Sequence, residues 1–129
     1  MSKATLISIA VSASLVALAF LFTSSAPGSA GTQTPVAQME GATQVIDITA
    51  KGGYSPRVVE AKAGIPTVIR VRTSGTYDCS ASVVIPKLSY RKFLEPSAVE
   101  EIPLTAAQAT GTLQGLCAMG MYNFRIIFQ

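Results

Sequence analysis

The residues best equipped for chemistry in this sequence are its sulfur side chains, and they crowd into one stretch. Gly115-Leu116-Cys117-Ala118-Met119-Gly120-Met121-Tyr122 sets one thiol and two thioethers side by side, just ahead of the last apolar run. Elsewhere only Cys79, Met39 and the initiator Met1 carry sulfur. Thiolate and thioether are soft ligands, and they select Cu(I) over hard cations. If the stretch leaves one strand and turns into the next, Cys117, Met119 and Met121 can converge on one point. Gly120 supplies the backbone freedom for that turn. Two plainer uses of the same residues stand beside this one. Met119 and Met121 can be core filler, because Met plugs irregular gaps. Cys79 and Cys117 can form a structural disulfide, which an exported protein allows.

Other chemistries are poorly provided for. The chain of 129 residues has no histidine. That excludes Ser/His/Asp and Cys/His triads, the zinc sites built with His and a blue-copper His₂Cys site. A structural zinc site usually wants four Cys/His ligands, and only two cysteines are present. The net charge of +3 is small and its carriers are scattered. Arg70 and Arg72 alternate along an expected strand and Arg91-Lys92 is one short pair, so a solvated face explains them better than a nucleic-acid patch. Tyr54, Tyr77, Tyr90 and Tyr122 read as core or half-buried aromatics rather than redox relays. Asp78 is either a hydrogen-bond acceptor behind Cys79 or a solvated loop acid. Glu100 and Glu101 are adjacent on an expected strand and point to opposite faces, which argues against a carboxylate dyad. No phosphate loop, EF-hand or nucleophile elbow occurs. The expectation is a protein that is not an enzyme.

The elements that must position the sulfurs follow from the pattern along the chain. Residues 1–25 read as a signal peptide or membrane anchor. Lys3 is followed by an uncharged, mostly apolar run over 4–22, and small residues suited to signal peptidase come next. That run is long enough to span a bilayer, which takes about 20 residues, so cleaved signal and retained anchor both stand. The positive N-terminal side places the rest of the chain outside the cytoplasm. Residues 26–42, rich in Pro, Gly, Ser, Thr and Gln, read as a flexible linker with Met39 at its end.

Residues 43–129 read as β throughout, long enough for a real core without staples. Strands are expected over 45–50, 57–62, 67–72, 79–85, 98–104, 112–116 and 122–128. Gly52-Gly53, Ser55-Pro56 and Ala63-Gly64-Ile65-Pro66 lie in turns between them. Ile69 and Val71 alternate with Arg70 and Arg72, the period-2 pattern of a one-sided sheet. Pro103 requires its strand to be an edge or to end there. Residues 88–94 carry no clear signal and read as a loop with a short turn. Short strands at regular spacing predict an all-β Greek-key sandwich or barrel.

With these residues in view, the sequence resembles the cupredoxin-like domains of bacterial envelope proteins, some tethered to membrane transporters and metal-pumping ATPases. The likeness covers about residues 43–129. It is carried by Gly53-Tyr54-Ser55-Pro56, Ala63-Gly64-Ile65-Pro66, Cys79 ahead of Val83-Val84-Ile85-Pro86, Leu94-Glu95-Pro96 and, most specifically, Cys117-Ala118-Met119-Gly120-Met121. The resemblance implies one metal ligand at the start of a middle strand, matched by Cys79, and the rest on the loop before the last strand, matched by Cys117, Met119 and Met121. Blue-copper members have His at two of these places. Their absence here points to the Cys-plus-Met subgroup.

The expected function is then a copper-binding envelope protein, holding Cu(I) through Cys79, Cys117, Met119 and Met121 for trafficking, delivery or resistance. A membrane metal transporter or oxidase would be its partner. It would lie in the periplasm or on the outer face of the inner membrane, anchored through 4–22 if the leader is kept. A cupredoxin-type electron carrier and a disulfide-closed interaction module without metal are the alternatives.

Overall fold

The computed structural model describes residues 34–129; the expected leader over 1–25 and the first part of the expected linker lie outside them. Ten strands follow in chain order: β1 (Gln38–Glu40), β2 (Thr43–Ala50), β3 (Tyr54–Ser55), β4 (Val58–Ala61), β5 (Thr67–Thr73), β6 (Ser82–Ile85), β7 (Tyr90–Phe93), β8 (Val99–Leu104), β9 (Gly111–Cys117) and β10 (Asn123–Phe128). They form two sheets. One has the order β1-β2-β5-β8, with β3 also paired to β2; the other has the order β4-β10-β9-β6-β7. The pairs β2–β5 and β4–β10 are parallel and the remaining ladders antiparallel. The chain changes sheet repeatedly, from β3 to β4, β4 to β5, β5 to β6, β7 to β8 and β8 to β9. This is the all-β Greek-key sandwich expected of the sequence.

Alternation builds the core. Along β5, Ile69 and Val71 are buried while Arg72 is exposed; along β10, Phe124, Ile126 and Phe128 are buried while Arg125 is exposed. Ile46 and Ile48 of β2 and Val83 and Ile85 of β6 complete the layer between the sheets. On the outer face, Arg70 is hydrogen-bonded to Asp47, its partner in the β2–β5 register, and to Glu40 of β1. Pro103 sits opposite Val68 on β8, which pairs only with β5. As an edge strand, β8 tolerates the missing N–H.

Three local expectations change. First, the linker reading over 26–42 fails in its described part. Residues 38–40 pair with β2, and the chain before them bonds β4 through Ala37 N–H to the Glu60 carbonyl and Glu60 N–H to the Pro35 carbonyl. Edge pairing satisfies backbone groups without apolar side chains, so a polar composition does not betray it. Second, Cys79 is not in a strand: Cys79–Ala81 is a 3-10 turn and the strand begins at Ser82. Third, residues 90–93 form an edge strand. It is entered through Ser89 at φ 51° and is exposed at Arg91, Lys92 and Phe93, so no alternation marks it.

Two features tie the layers together. Gly115 lies opposite Phe124 in the β9–β10 register, and the Phe124 ring lies directly over it. A Cβ at position 115 would fall 2.1 Å from the ring. The Phe124 ring also packs against Tyr54 in a T-shaped pair, with centroids 5.1 Å apart. Across the sandwich, Glu100 of β8 accepts hydrogen bonds from Lys92 Nζ and Tyr90 Oη of β7.

Gly115→Ala is expected to destabilise the fold by about 1–3 kcal/mol, the usual cost of overpacking a close-packed site. An unchanged urea midpoint would contradict the seating of Phe124 on Gly115. A second expectation concerns acid. The Lys92 ammonium holds the Glu100 carboxyl below the ordinary range, against burial and with help from Tyr90. A depressed folded value means the unfolded chain binds the proton more readily. The stabilisation is therefore full above the ordinary Glu value of about 4.3 and is lost as pH falls through the folded value. Glu100→Gln should flatten the stability curve below about pH 4; equal acid slopes in the two proteins, measured by urea unfolding at each pH, would remove Glu100 from the account.

Candidate functional site

The site forms where β9 turns into β10. Cys117 is the last residue of β9 and continues its inward row of Leu113 and Gly115. Its N–H donates to the Tyr122 carbonyl at 3.0 Å and its carbonyl accepts from Gly120 N–H at 2.8 Å, closing a short loop over 118–121. Gly120 has φ 72°, the left-handed conformation that such a return needs and that glycine adopts without strain.

Cys79 arrives from the other side. Asp78 caps the 3-10 turn: its Oδ1 accepts from Ser80 N–H at 2.8 Å and Ser80 Oγ at 2.5 Å, while its Oδ2 accepts from Gly52 N–H at 2.9 Å. One carboxylate thus fixes both the turn that begins at Cys79 and the loop after β2. These bonds, the Ser80 hydroxyl first, lower the Asp78 carboxyl below its usual range. From the turn, β6 runs beside β9 with Val83 opposite Cys117, which sets the two cysteines side by side.

The two thiols are free, and each shifts the proton affinity of the other. Cys117 is fully buried and Cys79 half-buried. Burial pushes the Cys117 thiol up, but the Cys79 S–H and the backbone N–H groups of Tyr122, Met119 and Met121 push it down and prevail. The hydrogen bond to Cys117, followed by burial, pushes Cys79 up, with the Met119 N–H opposing. Of the two, Cys117 gives up its proton the more readily. The Tyr122 N–H donates to its sulfur at 3.5 Å. Tyr54 forms the floor. Its Oη donates to the Ser82 carbonyl at 3.2 Å, and burial, then Cys117, Cys79 and Asp78, raise its hydroxyl well above the ordinary value.

The other two candidates stand differently. Met119 is 77% exposed and Met121 63% exposed, so neither is core filler. They occupy the same loop as Cys117 with their side chains on its outer side. Among the described residues no group of three or more His, Cys, Asp or Glu comes together. The donors here are two thiols inside and two thioethers at the rim, a set suited to a soft monovalent cation and poorly suited to Mg, Ca or Mn.

Two residues that shape the site have roles the sequence reading did not assign. Asp78 is neither an acceptor to Cys79 nor a free loop acid but a helix cap; Asp followed two positions later by a polar N–H carrier is the signal for one. Tyr54 is core, as expected, yet both thiols help to raise its hydroxyl, an influence that only the sheet-to-sheet packing reveals.

Comparison with known proteins agrees with this architecture. The family model of the cupredoxin-like domain matches residues 13–127. Among solved structures, the chain is similar to the metal binding domain of the Cu(I)-exporting P-type ATPase CopA of Streptococcus pneumoniae D39, determined with Cu(I). The identity is 22% and the TM-score 0.68 over 77% of this chain and 98% of that one. A copper binding protein solved by NMR in its apo form is 23% identical, with TM-score 0.67 over 77% of this chain and all of the other. Dithionite-reduced auracyanin of Roseiflexus castenholzii is 16% identical, with TM-score 0.52 over 69% of this chain and 99% of that one. At these identities the likeness is one of fold. No curated protein matches the sequence.

Access should decide which thiol reacts. Limited iodoacetamide treatment of the reduced, metal-free protein is expected to modify Cys79 well before Cys117, because Cys117 is closed off beneath the loop. Peptide mass mapping reads the order, and Cys117 reacting first would contradict its burial.

Proposed function

The chain belongs to the cupredoxin-like domain family, and we propose that it uses this fold to bind Cu(I) through Cys79 and Cys117, with Met119 and Met121 as further ligands from the loop. The observation that carries the reading is the pair of free thiols on neighbouring segments, beside a loop that bears two exposed thioethers. Bound there, a Cu(I) ion would be the cargo, carried in an all-sulfur site. The fold's own contribution is to preorganise the donors. The amides of Met119, Met121 and Tyr122 favour the thiolate on Cys117. The Tyr54 hydroxyl is committed to Ser82 and does not compete for the sulfurs. The cap formed by Asp78 fixes the turn that begins at Cys79 before any ion arrives.

Two of the structural relatives are described as a Cu(I)-bound domain of an exporting ATPase and as a copper binding protein, which supports copper as the ion. With no histidine in the chain, a His₂Cys site of the blue-copper type has no ligands, so storage or transfer of Cu(I) suits the residues better than electron carriage. We place this non-enzymatic role in the cell envelope, with residues 4–22 as signal or anchor and a membrane transporter or oxidase as the recipient.

An anaerobic titration of the reduced protein against a chromophoric Cu(I) chelator tests the assignment. One equivalent should be withdrawn from the chelator, and Cys117→Ser should weaken the binding by about 100-fold or more. Wild type that withdraws no Cu(I), or a Cys117→Ser variant that retains full affinity, would sink the proposed site.

A further inference from the structure

Beside the sulfur loop lies a cavity of about 420 Å³, walled by Lys51, Gly53, Arg57, Met121, Tyr122 and Asn123 among others. Its volume falls within the range of small-molecule sites, about 300–1,000 Å³. The lining includes two cations and no acid. Arg70 and Arg72 face Asp47, Arg70 also faces Glu40, and Lys92 faces Glu100. Among the described residues Lys51, Arg57, Lys62, Lys87, Arg91 and Arg125 form no ion pair. Of these, Lys51 and Arg57 line one cavity together.

The same wall belongs to the sulfur site. Tyr122 donates its N–H toward Cys117 Sγ, and its ring lies against Gly53, where an added Cβ would meet it at 3.5 Å. Met121 lines the cavity and is one of the two exposed thioethers of the loop. Gly52, also in the lining, is bonded to the Asp78 carboxylate that fixes the turn of Cys79. An anion in the cavity would thus lie next to a soft donor and one residue from the backbone that holds the thiols.

Resting on the Cu(I) reading above, we propose that this cavity binds the carboxylate of a small thiol and so receives Cu(I) from that carrier. Arg57 offers a planar fork that suits a carboxylate, and Lys51 adds a second positive charge. Held by its carboxylate, the carrier presents its sulfur to the loop. Copper then passes by ligand exchange: the bond from Cu(I) to the carrier sulfur breaks as a bond to a cysteine sulfur forms. Any proton lost by the cysteine goes to the departing thiolate. Copper remains Cu(I) throughout, so no oxidant or reductant is needed.

The test uses 3-mercaptopropionate as the carboxylated thiol and 2-mercaptoethanol as its neutral counterpart. Titrated into the reduced, metal-free protein, 3-mercaptopropionate should shift the amide resonances of Gly53, Tyr122 and Asn123 saturably, and 2-mercaptoethanol should not. Arg57→Gln should weaken that binding about tenfold or more, as expected on losing one charge-assisted contact, while its remaining spectrum reports an intact fold. In stopped flow, transfer from the Cu(I) complex of 3-mercaptopropionate should be faster than from that of 2-mercaptoethanol in wild type and not in Arg57→Gln. Equilibrium Cu(I) affinity against the chelator should be the same for both proteins. If the chelator titration shows Cu(I) bound but the amides do not respond, or Arg57→Gln transfers as wild type does, this proposal fails alone. If no Cu(I) is retained from the chelator, the copper reading fails and the hand-over falls with it.

Discussion

The register of the β9–β10 hairpin is the constraint on which the site depends. Side chains of a strand alternate between faces, so a slip of one residue would carry Cys117 from the core to water. The slip is blocked at Gly115. Only a residue without a Cβ can lie under the Phe124 ring, and a slip of one residue would bring Gln114 or Leu116 there. With Gly115 fixed opposite Phe124, Cys117 must face inward and the chain must return over residues 118–121. Tyr54 closes the arrangement from the other sheet, its ring packed edge-to-face with Phe124. The same glycine and two aromatic rings that pack the core therefore also aim the sulfur.

A second constraint is polar. The loop after β2, the turn of Cys79 and the loop after β9 all meet at one end of the sandwich, and none of them is regular enough to satisfy its own backbone. Asp78 takes the N–H groups of Gly52 and Ser80, Thr76 donates its hydroxyl to the Ala50 carbonyl, and Tyr54 takes the Ser82 carbonyl. No buried side-chain polar atom among the described residues is left without a partner. Loops so anchored can hold two thiols on neighbouring segments without a metal or a covalent bond between them.

Much of this could be read from the sequence because it rests on period-2 burial. The alternation at Ile69 and Val71, the edge position demanded by Pro103 and the turn at Gly120 are local signals, and each is found where its chemistry requires. These signals led to an all-β sandwich; the cupredoxin-like reading came from the resemblance of the motifs around Cys79 and the Cys117 loop to that family. What escaped was set by pairing or by packing. β1 is held by backbone bonds alone, and β7 is an edge strand with little to bury, so neither leaves an apolar pattern. Cys79 sits in a turn because Asp78 caps it, and an apolar run of Ala and Val after it looked like strand from its first residue. The packing of Tyr54 on Phe124 and its bond to Ser82 join residues far apart in the chain, through an arrangement of sheets that no local window contains.

The division of the sulfurs bears on which kind of copper chemistry such a site would serve. An electron carrier benefits when its donors hold one geometry in both oxidation states, since reorganisation slows transfer. Here Cys117 is buried and Cys79 half-buried, but the thioethers stand on exposed, unbranched side chains with several rotatable bonds. Such side chains adapt to an ion in different positions and give it up one contact at a time. The buried thiols provide hold, and the mobile rim lowers the barrier to exchange. Within the proposed reading, that combination argues for a protein that takes up and passes on Cu(I) over one that cycles it.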